Sequence, residues 1–311
     1  MGTKGTARIR CTKLRARGRT PAFVLKKPLI LPALAAVFIA QGCTIQTLAL
    51  RSVDSLFDNT VAALMQEGDL PFAESAIAGD MKLLEGVIET DPTNVKYLQL
   101  ACMGYASYAL AFADADPARA LLFYSRAQAY GVRGLLLRGI PKGAFTADAA
   151  AMRSALGKLQ RGDVPLVFWT ANAWGSAISL QPNEPDAVAS IPTANALMDW
   201  VKEREPDFFY GGPFLYFGVY YGSYPPALGG RPDLAKENFD RAIASSRGRF
   251  LMTEVLYART YAVEIQDQKL FQELLTRVVD APPDLLPEQR LANAVAQKRA
   301  RQLLARAEEL F

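Results

Sequence analysis

Three tyrosines, Tyr216, Tyr220 and Tyr224, recur every four residues. On a helix that spacing lines their hydroxyls along one face, with Tyr221 turned about 100° away. A row of hydroxyls costs free energy to bury without partners. The tyrosines therefore either edge a cavity or groove, or belong to a core in which each hydroxyl is satisfied. Phe214 and Phe217 in the same stretch read as helix-packing core, and Gly218 and Gly222 would let a neighbouring helix approach. Pro225 opens the breaker Pro225-Pro226-Ala227-Leu228-Gly229-Gly230 that ends the block. A second set lies earlier, at Trp169, Asn172 and Trp174. Asn172, three residues after Trp169, supplies a polar handle beside an aromatic wall, a combination found in small-molecule pockets; core packing is the alternative. Trp169 and Trp174 are five residues apart and so take different flanks of their helix. The chemistry both sets offer is binding, to a ligand or to a protein partner.

Catalytic chemistry finds less support. The chain has no histidine, which removes His-assisted Ser or Cys nucleophiles, imidazole metal ligands and a His general base. Of the three cysteines, Cys11 and Cys43 belong to the leader region and only Cys102 to the body. A disulfide within the body and a thiolate metal cluster are thereby excluded. Cys102 lies in an apolar helical run and reads as a buried, inert thiol. Asp114, Asp116 and Asp186 stand near turns and read as caps or solvated groups. No two carboxylates stand out as general acid and base, and the Gly-rich stretches lack the Gly-Lys-Ser/Thr element of a phosphate loop. The expectation is a protein that is not an enzyme and carries no cofactor or metal.

The elements that must position these residues are helices. From Leu48 onward the apolar residues recur at three and four, and no alternating strand stands out. Helices are expected over Asp54–Glu67, then from the Gly68–Pro71 break through about Glu89, over Val95–Phe112, and from Pro117 to near Tyr130-Gly131. Val132–Phe145 reads as an ordered loop with one helical turn. Further helices are expected at Ala147–Leu159, after Asp163 as its N-cap, over Pro192–Glu205, and over Pro232–Ile243. The pair Phe250–Ile265 and Leu270–Val279 follows, and a long charged helix at Leu285–Phe311 closes the chain with Leu291, Val295, Leu303, Leu304 and Ala307 as its inner face. Pro117-x-x-Ala120-x-x-x-Tyr124-x-Arg126-Ala127 matches Pro232-x-x-Ala235-x-x-x-Phe239-x-Arg241-Ala242. This is the second-helix pattern of a tetratricopeptide (TPR) hairpin, with proline in the first turn, where its missing N–H costs nothing. The predicted fold is all-α: TPR-like hairpins forming an α-solenoid or helical bundle, with the polar last helix as its cap.

Nine of the 35 Lys and Arg fall in residues 1–42, where there is no acid, so the rest of the chain holds 26 basic against 31 acidic residues. The basic character belongs to the leader, and nucleic acid is not an expected partner. Residues 28–40 are apolar, too short to span a bilayer and suited to a signal-peptide core. They lead to Ala40-Gln41-Gly42-Cys43, which resembles a bacterial lipoprotein processing site and makes Cys43 the lipidation candidate; ordinary signal-peptide cleavage is the alternative. Acyl chains on Cys43 would anchor the protein to a membrane, and Thr44 in place of Asp favours the outer membrane. The expected organisation is 1–42 signal peptide, 43–52 linker and 53–311 a single helical domain.

Four stretches carry a family resemblance: Asp163–Leu180 with Phe168-Trp169 and Ala173-Trp174-Gly175, Gly212–Gly230, Asp267–Leu275 and Leu291–Leu304. Through them the chain resembles the T-component (TatT) family of TRAP transporters, periplasmic lipoproteins encoded beside a solute-binding P-component. The resemblance covers roughly residues 43–311. It implies a helical fold with TPR-like hairpins, an anchor at Cys43, association with the P-component, and no enzymatic activity to carry over. The expected function is a lipid-anchored, periplasm-facing accessory subunit of a TRAP-type uptake system. It would dock the P-component and pass a small organic ligand of apolar or amphipathic acid character. The ligand or partner would meet Trp169, Asn172, Trp174, Tyr216, Tyr220, Tyr221, Tyr224 and Pro225. Homo-oligomerisation stays open, and the alternative function is a generic envelope scaffold binding peptides or assembly factors.

Overall fold

Short polar side chains begin the helices. Asp69 accepts the Phe72 N–H, Asn94 that of Lys96, Asp116 that of Arg119, Asp148 that of Ala151 and Asp267 that of Leu270. Each satisfies an amide that has no partner within its helix. The computed structural model describes residues 55–146, 148–223 and 230–311. The leader, Cys43, Tyr224 and Pro225 lie outside the described residues. Asp58–Phe311 makes one unit, and the helices below are those of this unit.

They are α1 (58–65), α2 (Leu70–Thr90), α3 (Val95–Tyr108), α4 (Pro117–Leu137), α5 (Ala149–Leu156), α6 (Val164–Ser179), α7 (Pro185–Ala189), α8 (Ile191–Arg204), α9 (Phe208–Ser223), α10 (Pro232–Ser246), α11 (Met252–Tyr257), α12 (Gln268–Asp280), α13 (Arg290–Leu304) and α14 (Ala307–Leu310). Wide π turns extend α3 over Ala109–Ala113 and α11 over Ala258–Ala262. No strand occurs among the described residues, so the chain is all-α. Neighbours in sequence are mostly neighbours in space: α2 packs on α3, α3 on α4, α4 on α6, α6 on α8, α8 on α9 and α9 on α10. α11 packs on α10, α12 and α13, and α13 reaches back to α2, so the helices close a circuit.

The matched patterns on α4 and α10 are packing surfaces. Ala120, Tyr124 and Ala127 are buried, as are Ala235, Phe239 and Ala242. Small residues admit the partner helix: a Cβ on Gly218 of α9 would meet the Phe239 ring at 3.0 Å.

Several boundaries differ from the expectation for physical reasons. α4 does not stop at Gly131 but runs on to Leu137. Gly131 and Gly134 face α6, where an added Cβ would lie 2.3 Å from Thr170 Oγ1 and 2.8 Å from Leu166 Cδ1. These glycines allow close approach and do not end the helix. The expected loop after it is accordingly shorter, with a 3-10 turn at Lys142–Phe145. Asp163 does not cap α6: its carboxylate accepts the Gln160 N–H at 3.0 Å and pairs with Arg138 at 2.9 Å. α7 is a short helix the sequence did not suggest. The terminal segment divides at Leu304, where α13 ends and α14 follows; Leu291 and Val295 are buried, while Leu303, Leu304 and Ala307 are half-buried. Cys102 is fully buried between α4 and α6, and burial pushes its thiol up to about 12.

Candidate functional site

The helical circuit encloses a cavity of about 300 Å³, within the range of small-molecule sites. Each helix contributes a stripe at helical spacing. α6 supplies Phe168, Trp169, Asn172, Gly175, Ser176 and Ser179; α9 supplies Gly212, Leu215, Tyr216, Val219, Tyr220 and Ser223. Met252, Leu256 and Arg259 line it from α11, and Leu291, Ala292 and Val295 from α13. Met103, Ala106 and Leu110 face them from α3 and its π turn.

One end is aromatic. The Phe209 ring lies 5.0 Å from Trp169, 5.9 Å from Phe168 and 5.5 Å from Phe250. This cluster sits on an unusual backbone. Phe209, Tyr210 and Gly211 are all left-handed, with φ of 48°, 60° and 80°. For a bulky residue that conformation costs on the order of 1–2 kcal/mol. Ring packing offsets it: Tyr210 stacks on Phe250 at 5.2 Å with 6° between planes. Gly211 must be glycine, since an added Cβ would lie 2.8 Å from Ser245 Cβ in addition to the positive φ. Gly212 lies against the Phe168 ring, whose Cε2 and Cζ would stand 2.6 Å from a Cβ there. Residues 209–211 thus make a left-handed turn, which brings Phe209 to the cavity and leads into the regular part of α9.

The middle of the wall is where the sequence-predicted residues meet. Tyr216 donates its hydroxyl hydrogen to Asn195 Oδ1 of α8 at 2.9 Å. Its ring lies over Gly175, where a Cβ would be 2.5 Å from Cε2. Trp169, Asn172, Tyr216 and Tyr220 therefore share one cavity. Trp174 and Tyr221 do not face it. Trp174 is buried on the other flank of α6, where its indole N–H donates to Ser190 Oγ at 3.0 Å and its ring lies 6.3 Å from Phe145. Tyr221 stacks on Phe217 at 6.0 Å. Burial, then Asp199 and Tyr220, raise its hydroxyl above the usual tyrosine value. Tyr224 and Pro225 lie outside the described residues.

The other end is polar, and its residues were not anticipated as a site. Asp114 follows the first π turn, and Arg259 belongs to the second. Their side chains pair at 3.3 Å, and Arg299 of α13 reaches the same Asp114 carboxylate at 3.1 Å. Arg299 also donates to the Leu110 carbonyl of the first π turn. Asp114 is therefore neither a cap nor merely solvated; Asp116 is the cap. Tyr124 completes this end, with Ser176 in hydrogen-bonding reach, and burial pushes its hydroxyl up to about 12. Arg259 stands 145 residues from Asp114 and Arg299 189 residues from Leu110 along the chain, so local spacing could not associate them. The only local hint was that Tyr124 stands where the matching pattern has Phe239.

Among the described residues no group of three or more cysteines and acids could hold a metal ion. No helix among them is long and apolar enough to cross a membrane. A family model described as TRAP transporter T-component matches residues 66–311. A protein of Treponema pallidum (strain Nichols), described as uncharacterized, is 22% identical over 90% of this chain and 96% of its own length.

Proposed function

The chain belongs to the TRAP transporter T-component family, and from that premise we propose that it is the membrane-anchored, periplasm-facing accessory subunit of its uptake system. In this reading the body docks the substrate-binding P-component and holds a small, largely apolar ligand in the cavity between Trp169 and Tyr220. The anchor is a lipidated Cys43, with the outer membrane as its destination. The role is non-catalytic.

The observation that carries the ligand part is the cavity itself. Its wall is apolar over most of its length, with a few placed polar groups such as Asn172, Asn195 and the Tyr216 hydroxyl. That is the composition of a binding site. The family supports an association with TRAP transporter components, and the choice of the P-component is our own. The test is a binding measurement between this protein and a TRAP solute-binding P-component from the same organism, with and without transported solute. A saturable complex in at least one state is expected; no complex in either would overturn the docking role. For the anchor, Cys43→Ala should move the protein from the membrane to the soluble fraction. Retention on membranes after a high-salt wash would refute lipidation at Cys43 as the sole anchor.

A further inference from the structure

We propose that the stripe Arg119, Phe123, Arg126, Tyr130 and Arg133 along α4 is the surface through which the body docks its protein partner, and that it meets a carboxylate-rich face of that partner. The proposal rests on the reading above that the body docks a solute-binding P-component, and it names the place.

The stripe begins in the spacing. Its members follow one another at four, three, four and three residues, which sets them along one face of a helix. That face is not the packing face. Ala120, Tyr124 and Ala127 are buried, whereas Arg119 and Arg126 are exposed and Phe123, Tyr130 and Arg133 are half-buried. The 21 residues of α4 include no acid, so the helix cannot neutralise its own arginines by pairing at three or four residues. Residues 43–311 hold 26 basic and 31 acidic residues. Against that acidic excess, a helix charged by arginine alone is a local reversal of sign.

Aromatic rings hold the arginines in place. The Phe123 ring lies 5.6 Å from the Arg119 guanidinium and 6.0 Å from that of Arg126, which also stands 5.8 Å from the ring of Tyr105 on α3. Tyr105 in turn stacks on Phe123 and on Tyr130, both at 5.9 Å. A guanidinium already seated on a ring gives up less freedom when it binds a carboxylate. Arginine interleaved with tyrosine is also the composition of interface hot spots.

Acids stand beside the stripe on α2, but their oxygens are engaged. Glu85 accepts the Tyr105 and Tyr130 hydroxyls and pairs with Lys82, and Glu74 accepts the Tyr108 hydroxyl at 3.3 Å. Arg119 donates to the Tyr108 hydroxyl at 3.0 Å and Arg133 to the Pro92 carbonyl at 2.6 Å. Among the described residues none of the three arginines forms an ion pair. Between Glu85, Arg126, Tyr130 and Arg133 the surface opens into a notch of about 290 Å³, room for a carboxylate side chain flanked by two guanidinium forks. Leu137, four residues beyond Arg133 and exposed, extends the same line with apolar surface. From Arg119 to Leu137 is about 27 Å at the rise of a helix, comparable with the edge of a patch of about 800 Å², the usual share of one partner. The acids on α2 favour a protein over a lipid surface. A protein face can set its carboxylates opposite α4 alone, whereas a sheet of anionic headgroups would also meet Glu74 and Glu85.

The experiment measures association kinetics between the purified protein and a TRAP solute-binding P-component from the same organism. The wild-type association rate should fall by about tenfold from ~50 to ~300 mM salt, the mark of charge steering. Arg126→Glu should weaken binding by at least about tenfold, and Arg126→Gln by about threefold to fivefold, both with a shallower salt dependence. Lys269→Glu, the same reversal at an exposed position on α12, should stay within about twofold. Thermal midpoints check that each variant keeps the fold, as the exposed position of Arg126 leads one to expect. If both Arg126 variants bind like the wild type, docking occurs elsewhere on the body: the docking role stands and this surface is wrong. If Lys269→Glu weakens binding as much as Arg126→Glu, only net charge is read, and the stripe is again overturned. If phosphatidylglycerol vesicles bind the wild type and not Arg126→Glu, while the P-component does not distinguish the two, the stripe is a lipid contact and the proposal fails. If the wild type forms no complex in any condition, the docking role fails and takes this surface with it.

Discussion

Helices α4 and α10 carry the same run of proline, small and aromatic residues, yet their central aromatics are used differently. Phe239 of α10 is fully buried and stacks on Tyr257 at 4.5 Å, with Gly218 of α9 beneath it. Tyr124 of α4 is almost as buried, but its hydroxyl end belongs to the polar end of the cavity, beside Ser176 and the Asp114 cluster. The shared carbon framework holds helices together in both places. The oxygen marks the copy that also forms a wall of the cavity. A repeat pattern therefore locates the scaffold, and a departure from it points to the site.

The sharpest test of this comparison removes the ring at one position and only the oxygen at the other. Phe239→Ala should lower stability by about 3–5 kcal/mol, the range for emptying a fully buried aromatic site, read as a shift in the urea midpoint. Tyr124→Phe keeps the ring and removes the oxygen, so it should cost only about 1 kcal/mol. If Tyr124→Phe destabilised as much as Phe239→Ala, the hydroxyl would be a core element and the distinction between the two copies would collapse.

Glu254 tests the α10–α11 side in a second way. It is fully buried on α11, one turn before Tyr257, and neither carboxylate oxygen has a hydrogen-bond partner among the described residues. Burial raises its pKa to about 7, opposed weakly by its own backbone amide and by Arg277. The folded state therefore prefers the neutral acid. Its contribution is fully present below the unfolded value of about 4.5, falls as pH rises, and is gone above about 7. The shift corresponds to about 3 kcal/mol between those limits. Glu254→Gln should flatten this part of the stability profile, measured as thermal midpoints from pH 4.5 to 8. An unchanged slope would mean that Glu254 finds a partner when ionised. At the cavity side the comparable charges, Asp114 with Arg259 and Arg299, are paired.

Periodicity was enough to read the all-α fold and most helices, and the repeat on α4 and α10 was legible residue by residue. So was the meeting of Trp169 with Asn172, because three residues on a helix share a face. Gly131 and Gly134 misled because a glycine that ends a helix and one that admits a neighbour look the same in sequence. Only the position of Thr170 and Leu166 on α6 distinguishes them. The left-handed run at Phe209–Gly211 was hidden for a related reason: two aromatics at positive φ contradict their local preference and persist through contacts with Trp169 and Phe250. The Asp114–Arg259–Arg299 cluster depends on closure of the helical circuit, which no local pattern encodes.

The smallest effect separates two adjacent tyrosines. Tyr220 and Tyr221 are neighbours in sequence, and both belong to the block whose four-residue spacing first suggested a binding face. The backbone turns them apart, so that Tyr220 lines the cavity with Tyr216 while Tyr221 packs against Phe217. Tyr221→Phe should therefore change ligand affinity by less than about twofold and stability by less than about 0.5 kcal/mol. Tyr216→Phe leaves the Asn195 carbonyl without its 2.9 Å donor at the cavity wall, and should alter affinity several-fold at about 1 kcal/mol of stability. A titration with an alkyl probe reads both. Equal responses would show that the whole aromatic block acts as one surface; unequal ones would show that a single face of α9, set by its four-residue period, carries the recognition.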